Sequence, residues 1–593
     1  MGEGEGGAVG SAKLQRRGRK MIEQVTLRYF KRFREETFDV SESVILVGPN
    51  NTGKTTLLQA IAVWDLALRR WIEERGPESG STAKKRTGVA ISRRDFTSIP
   101  LREMNLLWTD RSTALYKEEL KEGQKLGTPR LLEIEVKGKG AKGDWCLILE
   151  FAYRYPDLIH VRPSEKTPVE PILEAISDSQ VVHVPPFSGI GAEETHYDRA
   201  YQDLLIGQGK SGDILRNILL EVNRENPDEW KQLCDDIKDM FGYQLLPPVY
   251  EGRPFIVCEY QPGVSNKGRS RSLPKLDISC AGSGFLQVLI LLGFFYARPA
   301  SILLLDEPDA HLHVILQKQV YDRLREIARR RACQLLIATH SEVLVEGTSP
   351  EKIVSFFEHP HKLMADVERE RVREALKRLT SLDLLMAEQA PGVLYVEGET
   401  DLNLLREWAR VLEHPACLFF AQSPFWHNNQ GRHPREARSH FFALQAVKPD
   451  IHGVLVLDGD HRQLSEHEVS AEGLIIVRWR RYEAESYLVH PEALARFVRG
   501  ATPDLFTTCS VEKGLDYLKN QLPPAVYRDP LADHDYLNAT PASKTLLPGF
   551  FEAADVPLTK NEYYQVAAQM LPEEIPDEVK EKLDKICEAF NIG

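Results

Sequence analysis

The segment at residues 48–55, GPNNTGKT, constrains the fold of this chain more than any other feature. It fits the pattern GxxxxGK[ST], follows a short apolar strand pattern and precedes a helical pattern over residues 56–66. In a strand, loop and helix arranged in this order, backbone N–H groups and the helix N-terminus can surround a phosphate group. The sequence therefore predicts an α/β nucleotide-binding domain.

Each position of this motif has an expected role in binding ATP and Mg²⁺. Lys54 should meet the β- and γ-phosphate oxygens, and Thr55 should bind Mg²⁺. Further contacts to the nucleotide are expected from other loop residues and from the start of the helix, namely Asn50, Asn51, Gly53 and Thr56.

Two later strand patterns end in residues suited to ATP hydrolysis. The apolar run before Asp306 and Glu307 predicts a buried strand, so that Asp306 can reach the Mg²⁺ ion held by Thr55. Glu307 is then the expected general base toward the attacking water. Another strand pattern ends before His340, which places an imidazole where it could sense the γ-phosphate.

The composition is that of a large globular protein. With 593 residues, 42% of them hydrophobic and 27% charged, two or more cores are expected. The longest apolar stretch, residues 285–296, is too short to span a bilayer, and the eight cysteines form no CxxC pair, so a cytoplasmic protein is expected. The formal net charge of −12 means that contact with nucleic acid would depend on a local basic patch or on bound cations.

A second α/β pattern carries acidic residues at the ends of two strands. Glu397 follows the first strand, Asp401 lies on the first turn of the next helix, and Asp458 and Asp460 follow a later strand. Residues i and i+2 at a strand end point the same way, so this pair can join the first. Clustered carboxylates repel one another unless a cation neutralises them, and oxygen ligands suit Mg²⁺ or Mn²⁺.

A third strand pattern precedes the segment EAESYL at residues 483–488. Glu485 sits where nucleases with a Toprim domain, which the strand-EGxxD and strand-DxD pattern resembles, often carry a further metal-binding acid. Glu483 is nearly as well placed, and a solvated helix start is the alternative. Basic residues near these acids could contact a phosphate backbone, although some are expected to be solvated or paired: Arg432, Arg435, Arg438, Arg478, Arg480 and Arg481.

These patterns predict two α/β domains joined by a helix. The expected organisation is a flexible arm at residues 1–20, a first domain at 21–360 with helical insertions at about 65–130 and 200–245, a linker helix at 361–390, a second domain at 391–500 and a C-terminal helical extension at 501–593.

The motifs GPNNTGKTT, LLLDEPDAHLH and ATHS resemble the Walker A, Walker B/D-loop and switch-histidine motifs of ABC-type ATPases, in the branch that includes SMC and RecF-like heads. The resemblance covers about residues 21–360. It implies a signature loop that reaches a partner's ATP, and residues 279–284 occupy its place, with Ser279 or Ser283 as the serine and Gly284 beside it. It also implies a homodimer or a larger even oligomer formed through the heads.

The second acidic pattern, strand-EGxxD followed by strand-DxD, resembles the Toprim domain. An ABC-type head fused to a C-terminal Toprim domain is similar to the OLD (overcoming lysogenisation defect) family of nucleases. The resemblance implies ATP-controlled cleavage of DNA by two metal ions in anti-phage defence, with a possible partner defence protein. It also implies an assisting lysine, for which Lys544 is the candidate and a surface lysine is the alternative.

Two other functions remain open at this stage. The chain could be an ATPase sensor whose Toprim-like part cleaves tRNA or other RNA after a phage trigger, as in PARIS-type systems. It could also be a RecF-like DNA-repair ATPase that cleaves nothing. A topoisomerase is disfavoured because no separate strand-passage domain with a nucleophilic tyrosine is recognisable, and a primase is disfavoured because the cysteines form no zinc module.

Overall fold

The computed structural model describes most of the chain as two compact units, Met1–Leu376 and Lys377–Gly593. The expected arm at residues 1–20 and Arg432 lie outside the described residues. The described residues are 21–76, 87–96, 99–119, 125, 127–140, 143–166, 180–262, 274–298, 300–357, 359–421, 424–429, 434–445, 447–460, 473–500 and 505–592.

The described part of the N-terminal unit contains two six-stranded sheets and one three-stranded sheet. The strands are β1 (Met21–Phe30), β2 (Phe33–Asp39), β3 (Val44–Val47), β4 (Val89–Ser92), β5 (Leu132–Gly140), β6 (Gly143–Tyr155), β7 (Leu158–Pro163), β8 (Val181–Val184), β9 (Tyr243–Leu245), β10 (Glu259–Pro262), β11 (Leu276–Asp277), β12 (Ile302–Asp306), β13 (Gln334–Thr339), β14 (Ile353–Ser355) and β15 (His361–Lys362).

Eight helices accompany these strands in the described residues. They are α1 (Lys54–Arg75), α2 (Arg199–Gly207), α3 (Leu215–Glu225), α4 (Pro227–Phe241), α5 (Ser283–Ala297), α6 (Val314–Arg331), α7 (Glu342–Glu346) and α8 (Asp366–Arg378), of which α8 crosses the unit boundary.

The nucleotide motif belongs to the sheet ordered β15-β14-β3-β13-β12-β8, in which only β15 runs antiparallel. Every residue of β3, β12 and β13 is buried. Strands covered on both faces need apolar side chains at every position, which explains their continuous hydrophobic sequence. Because β13 lies between β3 and β12, the three strands that precede the proposed ATP-site residues are direct neighbours.

The described residues of the first expected insertion, at about residues 65–130, are not helix-rich beyond α1. The helix α1 ends at Arg75, and the described residues beyond it form β4 and short 3₁₀ turns. Val89 and Ile91 are buried while Ala90 is exposed, and this alternation fits a strand, which pairs with β7 in an antiparallel sheet of order β2-β1-β5-β6-β7-β4. Between residues 87 and 119, the described charged side chains lie outside β4. The second expected insertion contains α2, α3 and α4.

The C-terminal unit is built on a parallel sheet of order β17-β16-β18-β19. Its strands are β16 (Gly392–Val396), β17 (Trp426–Asn428), β18 (His452–Leu457) and β19 (Leu474–Arg478). Its helices in the described residues are α9 (Ser381–Gln389), α10 (Glu399–Val411), α11 (Cys417–Ala421), α12 (Pro434–Gln445), α13 (Pro491–Arg499), α14 (Leu505–Gln521), α15 (Pro524–Arg528), α16 (Asp535–Ala539), α17 (Leu546–Ala553), α18 (Tyr564–Ala567) and α19 (Asp577–Phe590).

The helices after residue 505 are part of this unit rather than an extension of it. Phe550 and Phe590 are buried in the same hydrophobic core as Leu394 and Val454 of the sheet. A side chain at Gly392 would meet the Phe590 ring at 2.2 Å, so the close approach of α19 to β16 requires glycine there. The boundary between the units lies after Leu376, whereas the sequence placed it near residue 391. The reason is that helix α9, in the expected linker, packs against the core of the C-terminal unit.

No helix in the described stretches has the length and hydropathy that a bilayer span requires.

Candidate functional site

The loop between β3 and α1 positions Lys54 at the start of the helix. Gly53 adopts a φ of 109°, which a residue with a side chain rarely does, and this turn directs the chain into α1. The ammonium group of the buried Lys54 donates hydrogen bonds to the carbonyl oxygens of Gly48 and Pro49 at 2.8 and 2.6 Å. Burial lowers the pKa of Lys54 to about 8.

Thr55 and Asp306 meet although they are far apart in sequence. The Thr55 hydroxyl donates a hydrogen bond of 3.0 Å to Oδ1 of Asp306 at the end of β12. Burial raises the pKa of Asp306 to about 6, and the charge of Glu307 adds to that effect. A hydroxyl and a carboxylate beside a phosphate-binding loop are the protein ligands that Mg²⁺ takes in such sites, so these two residues fit the ion.

Glu307 and His340 also lie together. The carboxylate oxygen Oε1 of Glu307 is 3.4 Å from Nε2 of His340, and the imidazole holds the pKa of Glu307 below its usual range. Glu307 has a φ of 50°, and its N–H donates to the carbonyl of Ala338 at 2.9 Å. Contacts of its backbone and of its carboxylate thus both hold Glu307 in place. A carboxylate that stays ionised in a fixed position can accept a proton from water.

Asp309 lies within the LLLDEPDAHLH motif but was not among the site residues expected from the sequence. It accepts a hydrogen bond of 2.7 Å from the Thr339 hydroxyl, and burial raises the pKa of its carboxyl group. The bond joins the segment after β12 to the end of β13. Asp309 therefore fixes the spacing between Glu307 and His340.

The proposed signature segment lies on the surface of the unit. Ser279 and Ser283 are exposed, and a side chain at Gly284 would approach the carbonyl oxygen of His311 at 3.2 Å. Asp277 accepts hydrogen bonds of 2.8 Å from the Ser279 N–H and from the buried Arg216. Within the described ranges, no hydrogen bond joins either serine to the nucleotide loop of its own chain.

Acidic residues converge at the carboxyl edge of the parallel sheet in the C-terminal unit. Glu397 follows β16, Asp401 lies in the first turn of α10, and Asp458 follows β18. Burial raises the pKa of Asp458 to about 9, and the charges of Asp401, Glu397, Glu485 and Glu483 add to the increase. Burial and the same kind of repulsion raise the pKa of Asp401. These five carboxylates form the acidic cluster.

The EAESYL segment supplies two members of the acidic cluster. Glu485 is 1% exposed, and its Oε1 lies 2.8 Å from the ammonium nitrogen of Lys560. Glu483 accepts a hydrogen bond of 2.5 Å from the Ser543 N–H. Burial disfavours the charged form of Lys560, but the nearby carboxylates outweigh that effect and raise its pKa. Lys560 is therefore the lysine that the structure places at the acidic cluster.

Lys544, the lysine expected from the sequence, is exposed and lies beside Ser543 in the chain. No motif marks Lys560, which follows Thr559 in a short 3₁₀ turn.

Asp460, expected from the sequence as a metal ligand, forms an ion pair with Arg478 at 3.2 Å. Arg478 also donates a hydrogen bond to the carbonyl oxygen of Asp458 at 2.9 Å.

The arginines expected near the acids differ in what they can contact. Arg481 is buried and donates to the carbonyl oxygens of Ser486 and Pro530, so it is not available to a phosphate. Arg480 pairs with Glu581 on the surface. Arg435 is exposed on α12, and Arg438 is half-buried there.

The acidic cluster fits a divalent cation in its donor chemistry. All its donors are carboxylate oxygens, and burial together with repulsion between the carboxylates raises the pKa values of Asp401 and Asp458, a repulsion that a cation would relieve. In the part of the chain that is described, no three acidic, histidine or cysteine side chains already converge on one point as ligands. Binding would therefore require side-chain rotation, and Glu397, Asp401, Asp458 and Glu485 would hold the ion.

Two protein-family models match parts of the N-terminal unit. Residues 21–64 match the model described as "AAA ATPase domain", and residues 260–346 match the one described as "AAA domain, putative AbiEii toxin, Type IV TA system". The first match contains Lys54 and Thr55, and the second contains Asp306, Glu307 and His340. These matches support an ATPase domain of the AAA type. No curated protein matches the chain.

The solved structures that resemble this chain include heads of SMC proteins. An SMC head bound to the C-winged helix domain of ScpA is 16% identical, with a TM-score of 0.34, over 59% of this chain and 99% of that chain. The SMC head domain from Thermotoga maritima is 12% identical, with a TM-score of 0.29, over 58% and 99%. The Smc head with an extended coiled coil, bound to the C-terminal domain of ScpA, from Pyrococcus furiosus is 15% identical, with a TM-score of 0.31, over 57% and 93%.

Proposed function

We propose that this chain is an ATP-controlled nuclease of the OLD type, in which the N-terminal ATPase governs metal-dependent cleavage of DNA by a Toprim-like C-terminal unit. The observation that carries the proposal is the acidic cluster at the carboxyl edge of a parallel sheet, with Lys560 bound to it. In open α/β sheets this edge is where ligands bind. Anti-phage defence is the proposed biological role.

The acidic cluster and Lys560 have different roles in the proposed cleavage. A divalent cation, when bound, activates a water molecule and stabilises the leaving oxygen of a phosphodiester. Glu397, Asp401, Asp458 and Glu485 hold and orient that ion. Lys560 provides a positive charge on the side of Glu485, where it attracts the phosphate group of the substrate.

In this proposal, the ATPase units of two copies of the chain pair with each other to hydrolyse ATP. Lys54 binds the phosphates of ATP, and Glu307 accepts the proton of the attacking water. His340 holds the Glu307 carboxylate in place. Ser279 and Ser283 are exposed, which suits contact with ATP on a second copy. Sedimentation of the Glu307→Gln protein with and without ATP tests this pairing, because bound ATP should convert it into a dimer or a larger even oligomer. A parent protein that hydrolyses ATP at its full rate as a monomer would contradict the pairing.

Cleavage of supercoiled plasmid in Mg²⁺ or Mn²⁺ tests the nuclease proposal. The Asp458→Asn protein should lose cutting by at least about a hundredfold, because a ligand carboxylate is lost. Asp450→Asn is the matched control, since Asp450 is exposed before β18. Equal cutting by the parent and the Asp458→Asn protein would exclude the acidic cluster as the nuclease site.

Cleavage of tRNA is a second candidate function for the same site. It is favoured by the EAESYL segment, because both Glu483 and Glu485 lie in the acidic cluster. Parallel incubation of the protein with tRNA and with duplex DNA, each with and without ATP, separates the two substrates. Cutting of tRNA alone would replace DNA in the proposal and leave the assigned residues unchanged.

A further inference from the structure

Asn429 lies beside Glu397 at the edge of the C-terminal sheet. Strands β16 and β17 pair in parallel, with Val396 opposite Asn428, and the N–H of Asn429 donates to the Val396 carbonyl at 2.8 Å. This bond belongs to the pairing of Val396 with Asn428, the last pair of the ladder, so Glu397 and Asn429 are the residues with which the two chains leave the sheet at its carboxyl edge. Adjacent strands lie about 4.8 Å apart, which keeps the two backbones close at this point.

The side-chain amide of Asn429 has no hydrogen-bond partner among the described residues. Asn429 is 0% exposed, and neither its Oδ1 nor its Nδ2 makes a hydrogen bond. A buried polar group without a partner costs about 1–3 kcal/mol, and native proteins rarely retain one. Asn428 and His427, the two residues before it, also have buried side-chain atoms without hydrogen bonds, Oδ1 and Nδ1 respectively.

The position of Asn429 and the lack of hydrogen bonds to its amide have a common explanation. We propose that Asn429 belongs to the cation site: its Oδ1 accepts a hydrogen bond from a water molecule on the divalent cation, and its Nδ2 donates to the Glu397 carboxylate. An amide suits both tasks because it carries one acceptor and two donors. This inference rests on the proposed function, because it assigns one more residue to the same site.

Binding of Mn²⁺ to the full-length protein tests the assignment without reference to cleavage. Calorimetric titration without nucleotide is made in the Asp306→Asn background, so that the ATPase site does not contribute. Asn429→Leu should weaken Mn²⁺ binding about tenfold, as loss of a residue around the metal ligands usually does. Asn429→Asp should bind at least as tightly as the parent. Asn520→Leu, an exposed position on α14, is the control and should change nothing.

Thermal unfolding without metal separates this role from a structural one. If Asn429 serves the cation, Asn429→Leu should unfold at the same temperature as the parent or higher, because a buried unpartnered amide has been removed. Lower stability with unchanged Mn²⁺ affinity would overturn the assignment. Asn429→Ser replaces the leucine variant if that variant fails to fold, and unchanged Mn²⁺ affinity in it would likewise overturn the assignment.

Glu397→Gln separates failure of this inference from failure of the proposed function. If Glu397→Gln weakens Mn²⁺ binding and Asn429→Leu does not, only the role of Asn429 is wrong. If neither Glu397→Gln nor Asp458→Asn affects Mn²⁺ binding, the acidic cluster is not a cation site and both proposals fail. Weaker binding in all three variants supports both.

Discussion

The ammonium nitrogen of Lys560 lies 2.8 Å from Oε1 of Glu485, a carboxylate that is only 1% exposed. Removing one partner of such a buried ion pair destabilises the protein, because the remaining charge is left buried without a partner. The raised pKa of Lys560 reflects attraction by Glu485, Glu483 and Asp401 in spite of burial. Lys560 is therefore the group that offsets the negative charge of the acidic cluster.

Replacing Lys560 by methionine should impair cleavage and tighten metal binding. The side chain keeps its length but loses its charge, so substrate phosphate is attracted less and a cation meets a more negative site. We expect nuclease activity to fall at least tenfold and Mn²⁺ affinity to rise severalfold. Lys544→Met is the matched control, since Lys544 is exposed. Equal activity of both variants would show that Lys560 has no part in cleavage.

Glu307→Gln should abolish ATP turnover while ATP binding persists. Glutamine keeps the shape of the side chain but cannot accept a proton, and general bases contribute about 10²–10⁴-fold to rate. Steady-state hydrolysis and nucleotide affinity are measured together, with the exposed Glu346→Gln as control. Turnover within threefold of the parent would remove Glu307 from the role of base.

ATP affinity should fall above pH 8 because of Lys54. In the free protein the pKa of Lys54 is lowered to about 8, so the ammonium group is intact below that pH and loses its proton above it. Phosphate oxygens favour the charged form and raise the pKa in the complex, so binding takes up a proton only above pH 8. The affinity should therefore be level below pH 8 and fall by up to tenfold per unit above it.

Fluorescent-nucleotide titration between pH 7 and 9.5 measures this dependence. The Lys54→Arg protein is the comparison, because a guanidinium stays charged throughout the range. Its affinity should vary much less with pH above 8, even if it is weaker overall. The same decline in both proteins would assign the pH dependence to another group.

Glu578 of α19 should stabilise the segment that carries Glu485. It accepts hydrogen bonds from the Arg480 N–H, at 2.9 Å, and from the Tyr487 hydroxyl. Glu578→Ala removes the partner of both donors and leaves the buried Tyr487 hydroxyl without an acceptor, which costs about 1–3 kcal/mol. The C-terminal unit should then unfold several degrees lower in a calorimetric scan, and cleavage should fall. Glu581→Ala, on an exposed position of α19, should change stability by less than about 0.5 kcal/mol.

The sequence predicted those parts of the site that depend on local chain order. A strand buried on both faces, followed at once by a polar residue, is visible in the sequence, and Asp306, Glu397 and Asp458 were found in that way. The loop around Lys54 is specified by glycines and by the helix that follows it. For these residues the secondary structure itself places the side chain at the sheet edge.

Residues brought in by tertiary packing could not be predicted in this way. Lys560 reaches Glu485 from a short turn between two helices, and no spacing rule connects the two. Asn429 is distinguished by its buried amide without a hydrogen bond and by its position directly after β17, which depends on how β17 pairs with β16. The error at residues 65–130 has another cause, since charged turns around a short strand resemble a charged helix in composition.

The contact between Gly392 and the Phe590 ring joins the first strand of the C-terminal sheet to its last helix. During synthesis, the ATPase unit can fold while residues near 590 have not yet been made, because domains generally fold in order from the N-terminus. The acidic cluster cannot be fully assembled before that final helix docks. A chain interrupted during translation would therefore carry the ATPase unit without a complete acidic cluster.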